Sequence, residues 1–257
     1  STTLTLSHYN SIWKERMPNY TWKGYQRQKD EPVNALYFYR TDGIVNADKS
    51  NMPSYQPEGY QAPGRPIIRD LNGDNKITEE DVDMVNVVPS VYGGLGNSFS
   101  YKNWDLDIFL YSQLGLKKYN YIYTWAGGST LAAQNMNQSI LVKEVWTSEN
   151  PNGTIPGLTK SSASLPGGAG TDIGYENASF VRVRNITLGY NFTNKQLGAL
   201  GQFINSIRLY ADLQNPFTFT SFRYFDPEVQ TGSDSNKGSN AEYPVARTYT
   251  LGLKVSF

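Results

Sequence analysis

The chain has 257 residues, in which 23 Lys and Arg balance 23 Asp and Glu, so no basic excess points to nucleic acid and no acidic tail is present. It holds no cysteine and a single histidine, His8, which excludes a disulfide framework, thiolate metal sites and a histidine-rich metal centre. Aromatic residues reach 14%, including 19 Tyr, beside 23 Gly, a profile that favours strands and turn-rich loops and so an all-β protein.

The start, "STTLTLSHYNSIW", lacks the charged and apolar regions of a signal peptide, so the chain is expected to be processed or to begin inside a larger protein. No window approaches the run of about 18 apolar residues that a transmembrane helix needs. "TTLTLSH" and, further on, "VNALYFYR" are expected to be strands. "DLNGDNKITEED" then places oxygen donors at Asp70, Asn72, Asp74, the Lys76 carbonyl, Thr78 and Asp81, the spacing of a twelve-residue calcium loop. Asn75 stands where glycine makes the sharp turn, and Asp81 replaces the longer glutamate. Pro63 and Pro66 bar an entering helix, so calcium binding at an isolated loop is the expectation and an ion-free acidic turn the alternative.

Period-2 strands dominate the rest. In "VYGGLGNSFSY" Val91, Leu95, Phe99 and Tyr101 alternate with small or polar residues; after the two-residue turn Lys102–Asn103, "WDLDIFLYSQL" alternates Leu106, Ile108 and Leu110 with Asp105 and Asp107. A connection of roughly sixty residues follows, with a helix expected over 130–146 and aromatics Tyr119, Tyr121, Tyr123 and Trp125 placed as an interfacial girdle with Tyr101 and Trp104. "FVRVRNITLGYNF" changes phase at Asn185, where a β-bulge would restore one apolar face. "INSIRLYADLQ" sets Ile207, Leu209 and Leu213 against Arg208, Tyr210 and Asp212, and "RTYTLGLKVSF" ends the chain on the alternating Tyr249, Leu251, Leu253, Val255 and Phe257.

Strands of about ten residues match what a tilted strand needs to cross a bilayer, and connections alternate short and long, the outer-membrane rule of short periplasmic turns and long extracellular loops. The polar-parity residues Asp105, Asp107, Arg182, Arg184, Arg208, Tyr210 and Asp212 are the lumen-facing candidates, with opposite charges expected to pair across strands. A soluble sandwich with its apolar face buried is the competing account. "NGT", "NAS" and similar triplets, and the "GGLG" and "PGGAG" loops, lack the context that would give them a function, and "FDPE" carboxylates have no visible partner for glycosidase chemistry.

The ordered series "FYRTDGI", "RDLNGDNKITEED", "YGGLGNSFSYKNWDLDIFLY", "VWTSENP", "ASFVRVRNITLGY", "IRLYADLQNPFTFT", "FDPEV" and "YPVARTYTLGLKVSF" resembles the C-terminal part of SusC/RagA-type TonB-dependent outer-membrane transporters, over nearly all the chain from Tyr37. The resemblance implies an antiparallel transmembrane β-barrel segment, the last strands of a large barrel, with 42–88 as an extracellular loop. It implies location in the bacterial outer membrane, import of oligosaccharides or peptides, a SusD-like lipoprotein lid, and coupling to TonB through a plug domain expected to lie outside these residues. It further implies contact with lipid and with the remainder of the barrel, no enzymatic activity, and a C-terminal assembly signal at Tyr249, Leu251, Leu253, Val255 and Phe257. A secreted or surface calcium-dependent glycan-binding β-protein is the alternative function.

Overall fold

The computed structural model describes all residues except 16, 18–22, 27–29, 121–138, 158–163 and 230–242. Its strands are β1 (Thr2–Ser7), β2 (Ala35–Tyr39), β3 (Thr41–Ile44), β4 (Pro66–Ile68), β5 (Val82–Asn86), β6 (Val91–Tyr101), β7 (Trp104–Leu114), β8 (Lys117–Tyr119), β9 (Gly170–Thr171), β10 (Tyr175–Asn177), β11 (Phe180–Phe192), β12 (Ser206–Thr220) and β13 (Thr248–Ser256). No helix among the described residues is long and apolar enough to cross a membrane. The chain divides into two compact units, one of residues 1–9, 88–117 and 177–257, the other of residues 10–87 and 118–176.

The first unit is built on a six-stranded antiparallel sheet in the order β1-β6-β7-β11-β12-β13. Because side chains alternate along each strand, the register decides which residues share a face. Phe99, Leu106, Leu188, Ala211 and Leu251 form one continuous cross-strand row, and Tyr101, Trp104, Tyr190, Leu209 and Leu253 form another nearer the short turns. The intervening rows are polar: Ser98, Asp107, Thr187, Asp212 and Thr250 lie side by side, as do Ser100, Asp105, Gly189, Tyr210 and Gly252.

The expected phase correction in β11 is present. Arg184 is an extra residue between Val183, opposite Leu110, and Asn185, opposite Phe109, so Val183 and Ile186 return to the same face. β12 answers with two residues, Asn215 and Pro216, facing that one; Asn215 takes φ 50°, a left-handed conformation that Asn tolerates, and Pro216 has no N–H to lose from the ladder.

The apolar face is bare. Leu4, Leu6, Phe99, Trp104, Phe217, Phe219, Leu251 and Leu253 all lie on it and are at least half exposed, up to 78% at Leu251. In a soluble sandwich these positions would be the core, and aqueous monomers rarely leave so contiguous an apolar surface uncovered. The core of this unit sits instead near the ends of the strands away from the short turns, where Leu116, Ala178, Phe180 and Phe222 pack together with Tyr111 and Phe225. Phe222 is therefore a packing residue.

The second unit has its own core of Tyr39, Ile68, Leu165 and Ala169, flanked by Tyr25, Tyr60, Ile77 and Val82, with a smaller cluster of Leu141, Val145 and Ile155. "VNALYFYR" belongs here and not to the long sheet: β2 is only five residues, lies between β5 and β9, and buries the consecutive Phe38 and Tyr39 together, so its end is covered on both faces. The Tyr39 hydroxyl lies 2.8 Å from the Thr78 carbonyl oxygen, and burial, with the negative Asp81 and Glu79 nearby, pushes its pKa up to about 12. Tyr119 also leaves the expected girdle: it lies in β8, paired with β10, and its ring meets Tyr175 at 5.1 Å. Tyr121, Tyr123 and Trp125 lie outside the described residues, as does the first half of the expected helix over 130–146. The described remainder is a 3-10 helix, Ile140–Glu144, begun by the Ser139 hydroxyl accepting from the Leu141 N–H.

Candidate functional site

The polar face of the six-stranded sheet concentrates charge that the register makes partner-ready. Asp105 on β7 and Arg208 on β12 flank Gly189 on the strand between them. A Cβ at Gly189 would fall 2.5 Å from an Asp105 carboxylate oxygen and 2.7 Å from the Arg208 guanidinium, so glycine opens the gap through which this pair closes. Asn191 Nδ2 also donates to Asp105 at 2.8 Å. Asp107 accepts from Ser98 at 2.5 Å, and Asp212 accepts from Asn185 Nδ2 and Thr187 Oγ1, both at 2.6 Å. Tyr210 folds its ring over Gly252, and the Arg208 guanidinium lies 5.5 Å from that ring.

The bulge brings Arg182 and Arg184 together on the same side. Arg182 is 1% exposed, pairs with Asp226, lies 3.0 Å from Glu228, and sits 5.6 Å from the Phe180 ring. Arg184 pairs with the same Glu228 and lies 5.2 Å from the Tyr111 ring. The "FDPE" carboxylates are thus counterions that clamp the segment after β12 to the sheet. Their role was hidden in the sequence because a contact across 44 residues leaves no local pattern. Burial pulls the Asp226 pKa upward, but N–H groups of Glu228 and Val245 and the Arg182 guanidinium more than reverse this, leaving it below the usual carboxylate value.

So of the seven lumen-facing candidates, Asp105, Asp107, Arg208, Tyr210 and Asp212 share the polar face, Arg208 opposite Asn191 and Lys254, while Arg182 and Arg184 form the clamp at the bulge. The five C-terminal positions Tyr249, Leu251, Leu253, Val255 and Phe257 close the chain, the first four pairing with Leu213, Ala211, Leu209 and Ile207 on the apolar face.

The loop Asp70 to Asp81 is tightly self-bonded. Asp70 accepts the N–H groups of Gly73 at 2.7 Å and Asn75 at 2.8 Å, Asn72 accepts that of Asp74 at 3.0 Å, and Asp74 that of Lys76 at 2.9 Å. Asn75 takes φ 60°, the left-handed turn expected of it in place of glycine. Asp81 is fully buried, accepting from Leu71 and Thr78, each at 2.8 Å. The donor types and spacing suit calcium, but Asp81 Oδ1 also accepts from the Asn72 N–H at 3.5 Å, and among the described residues no three acidic or imidazole side chains are gathered into a cage.

Similarity to known proteins accords with the two-faced sheet. No family model matches the chain. It is 26% identical over 90% of its length to TonB-dependent receptor P3 of Formosa agariphila, and 30% identical over 77% of its length to TonB-dependent receptor SusC of Bacteroides thetaiotaomicron. The chain resembles the C-terminal part of a SusC/RagA-type transporter barrel. It spans only 23% and 18% of those two relatives. Its fold matches the RagAB peptide importer in the closed-closed state over its whole length with a TM-score of 0.65 at 21% identity, covering 27% of that chain. A second RagAB structure gives a TM-score of 0.60 at 23% identity, over 90% of this chain and 25% of that one. The SusC/RagA-like segment is an antiparallel barrel segment of the bacterial outer membrane.

Proposed function

We propose that this segment forms lumen wall and extracellular structure in an importer of oligosaccharides or peptides, working with a SusD-like lipoprotein lid and driven by TonB through a plug domain. The carrying observation is the sheet itself, continuous in register, with a bare apolar face on one side and charged, hydroxyl and amide rows on the other. A water-filled lumen needs the second face and a bilayer the first. The reading is of transport, not catalysis, in keeping with relatives described as receptors. The test is uptake of labelled oligosaccharides and peptides by cells carrying the intact protein and its lipoprotein neighbour. Uptake is expected to vanish when TonB is removed while surface binding persists. TonB-independent retention at the cell surface without uptake would favour the surface glycan-binding alternative.

The loop at residues 70–81 is proposed as an extracellular calcium site, held by Asp70, Asn72, Asp74, the Lys76 carbonyl, Thr78 and Asp81, within the loop region 42–88. An external site meets millimolar calcium, so a dissociation constant of roughly 0.1–1 mM suffices, and the short Asp81 suits that end of the range. Asp70→Ala with Asp74→Ala is expected to remove bound calcium and to expose the loop to protease, leaving barrel insertion unchanged because no long strand is touched. Metal analysis and limited proteolysis with and without chelator check this. Wild-type protein that holds no calcium at millimolar supply would return the loop to an ion-free turn.

A further inference from the structure

At the short-turn end of the sheet, Lys102, Asn103, Trp104, Tyr190, Thr193 and Gln196 line a hollow of about 350 Å³. Two of these, Trp104 and Tyr190, face each other across β7 and β11 in the aromatic row of the lipid face, with ring centroids 4.8 Å apart. The hollow is therefore continuous with the lipid-facing surface and sits at its edge.

Its polar groups are divided unequally. The amides are spent inside the protein: Asn103 Nδ2 donates to the Asn191 carbonyl at 2.8 Å and to Gln196 at 3.0 Å, while Gln196 Nε2 donates to the Tyr190 hydroxyl oxygen at 2.7 Å. That bond orients the Tyr190 hydroxyl and leaves its own proton to give. Among the described residues, neither this proton, nor the Trp104 indole N–H, nor the Lys102 ammonium has a hydrogen-bond acceptor, and no carboxylate lines the hollow. Lys102 holds φ 54° in the tight turn, with its ammonium 5.3 Å from the Tyr101 ring centroid, also on the lipid face. One cation and two neutral donors thus surround a space with no acid in it, beside a surface that meets acyl chains.

We propose that this hollow binds the phosphate of a phospholipid from the membrane leaflet at the short-turn end, with the acyl chains lying along the apolar rows. A phosphodiester supplies acceptor oxygens to all three donors and a charge for the ammonium, and its tails extend onto surface already committed to lipid. Aromatic rings whose polar edges stay wet while their faces contact chains belong at this depth. The proposal rests on the lipid assignment of that face, which is tested separately by the Leu251 substitution below, so the two can fail independently.

The test is native mass spectrometry of the intact protein, folded in detergent and titrated with phosphatidylglycerol, with diacylglycerol, or with inorganic phosphate. Wild type is expected to retain phosphatidylglycerol and not diacylglycerol. Lys102→Asn, which keeps the left-handed turn while removing the charge, is expected to bind phosphatidylglycerol roughly tenfold more weakly, the loss due to one charge-assisted contact. Trp104→Phe, which removes only the indole donor and part of the ring, is expected to weaken it less. Unchanged lipid retention in both variants overturns the proposal. So does equal retention of diacylglycerol, and so does displacement of the lipid by millimolar inorganic phosphate, which would make this a free-anion site.

Discussion

Arg182→Ala is expected to destabilise the barrel wall by about 3–5 kcal/mol, because it strands the largely buried Asp226 carboxylate without a cation and removes one of the two cations beside Glu228. Arg182 is 1% exposed, and the Asp226 and Glu228 side chains that face it are 10% and 20% exposed. Arg184 would retain Glu228, but Asp226 would lose its only cation among the described residues. The segment after Thr220 should then detach from the sheet, taking Phe222 out of its cluster with Leu116, Ala178 and Phe180. The readouts are the urea midpoint of the intact protein and protease cleavage between β12 and β13. Wild-type stability with an intact loop would show that the clamp contributes nothing. The sign with pH follows from Asp226, whose folded pKa is depressed. Its contribution is complete above the unfolded value of about 3.9 and is lost as pH falls through the lower folded value. The loop should therefore stay pinned at pH 5 to 7 and release in stronger acid, and Arg182→Ala should abolish most of that acid dependence.

Leu251→Arg is expected to cost about 2–4 kcal/mol in a bilayer, the penalty of a cation near the midplane on the lipid face of a barrel. Leu251 lies mid-strand, in the row with Ala211 and Leu188. Its neighbour Thr250 points to the other face, opposite Asp212, so Thr250→Arg should be mild and could gain a partner. The contrast is decisive because Leu251 is 78% exposed. In water, replacing so exposed a leucine by arginine would change stability by less than about 0.5 kcal/mol. Folding into vesicles monitored by heat-modified gel mobility measures both variants. Equal effects at the two positions would contradict the membrane assignment.

Much of the wall was legible one strand at a time, because a period of two is a local property. Leu106, Ile108 and Leu110 against Asp105 and Asp107 show two faces before any partner strand is known, and the phase slip in "FVRVRNITLGYNF" announces the bulge whose extra residue is Arg184. Local pattern failed where burial was decided from a distance. "VNALYFYR" carries the composition of a wall strand, yet Phe38 and Tyr39 are both buried, because β5, β9 and the Ile68 cluster enclose β2. Tyr119 likewise has the residue type of a girdle but belongs with Tyr175.

By itself, then, the sequence determined which side chains alternate, where the tight turns fall and that one face of each long strand is apolar, since these follow from strand geometry and residue type alone. Only the tertiary structure decided that the apolar rows join into one uncovered face, that Gly189 makes room for Asp105 to meet Arg208, and that Asp226 and Glu228 clamp Arg182 and Arg184. The physical reason is that register and long-range ion pairing depend on the free energy of strands and loops far apart in the chain, and a cation is indifferent to which of several carboxylates neutralises it until the fold brings one within reach.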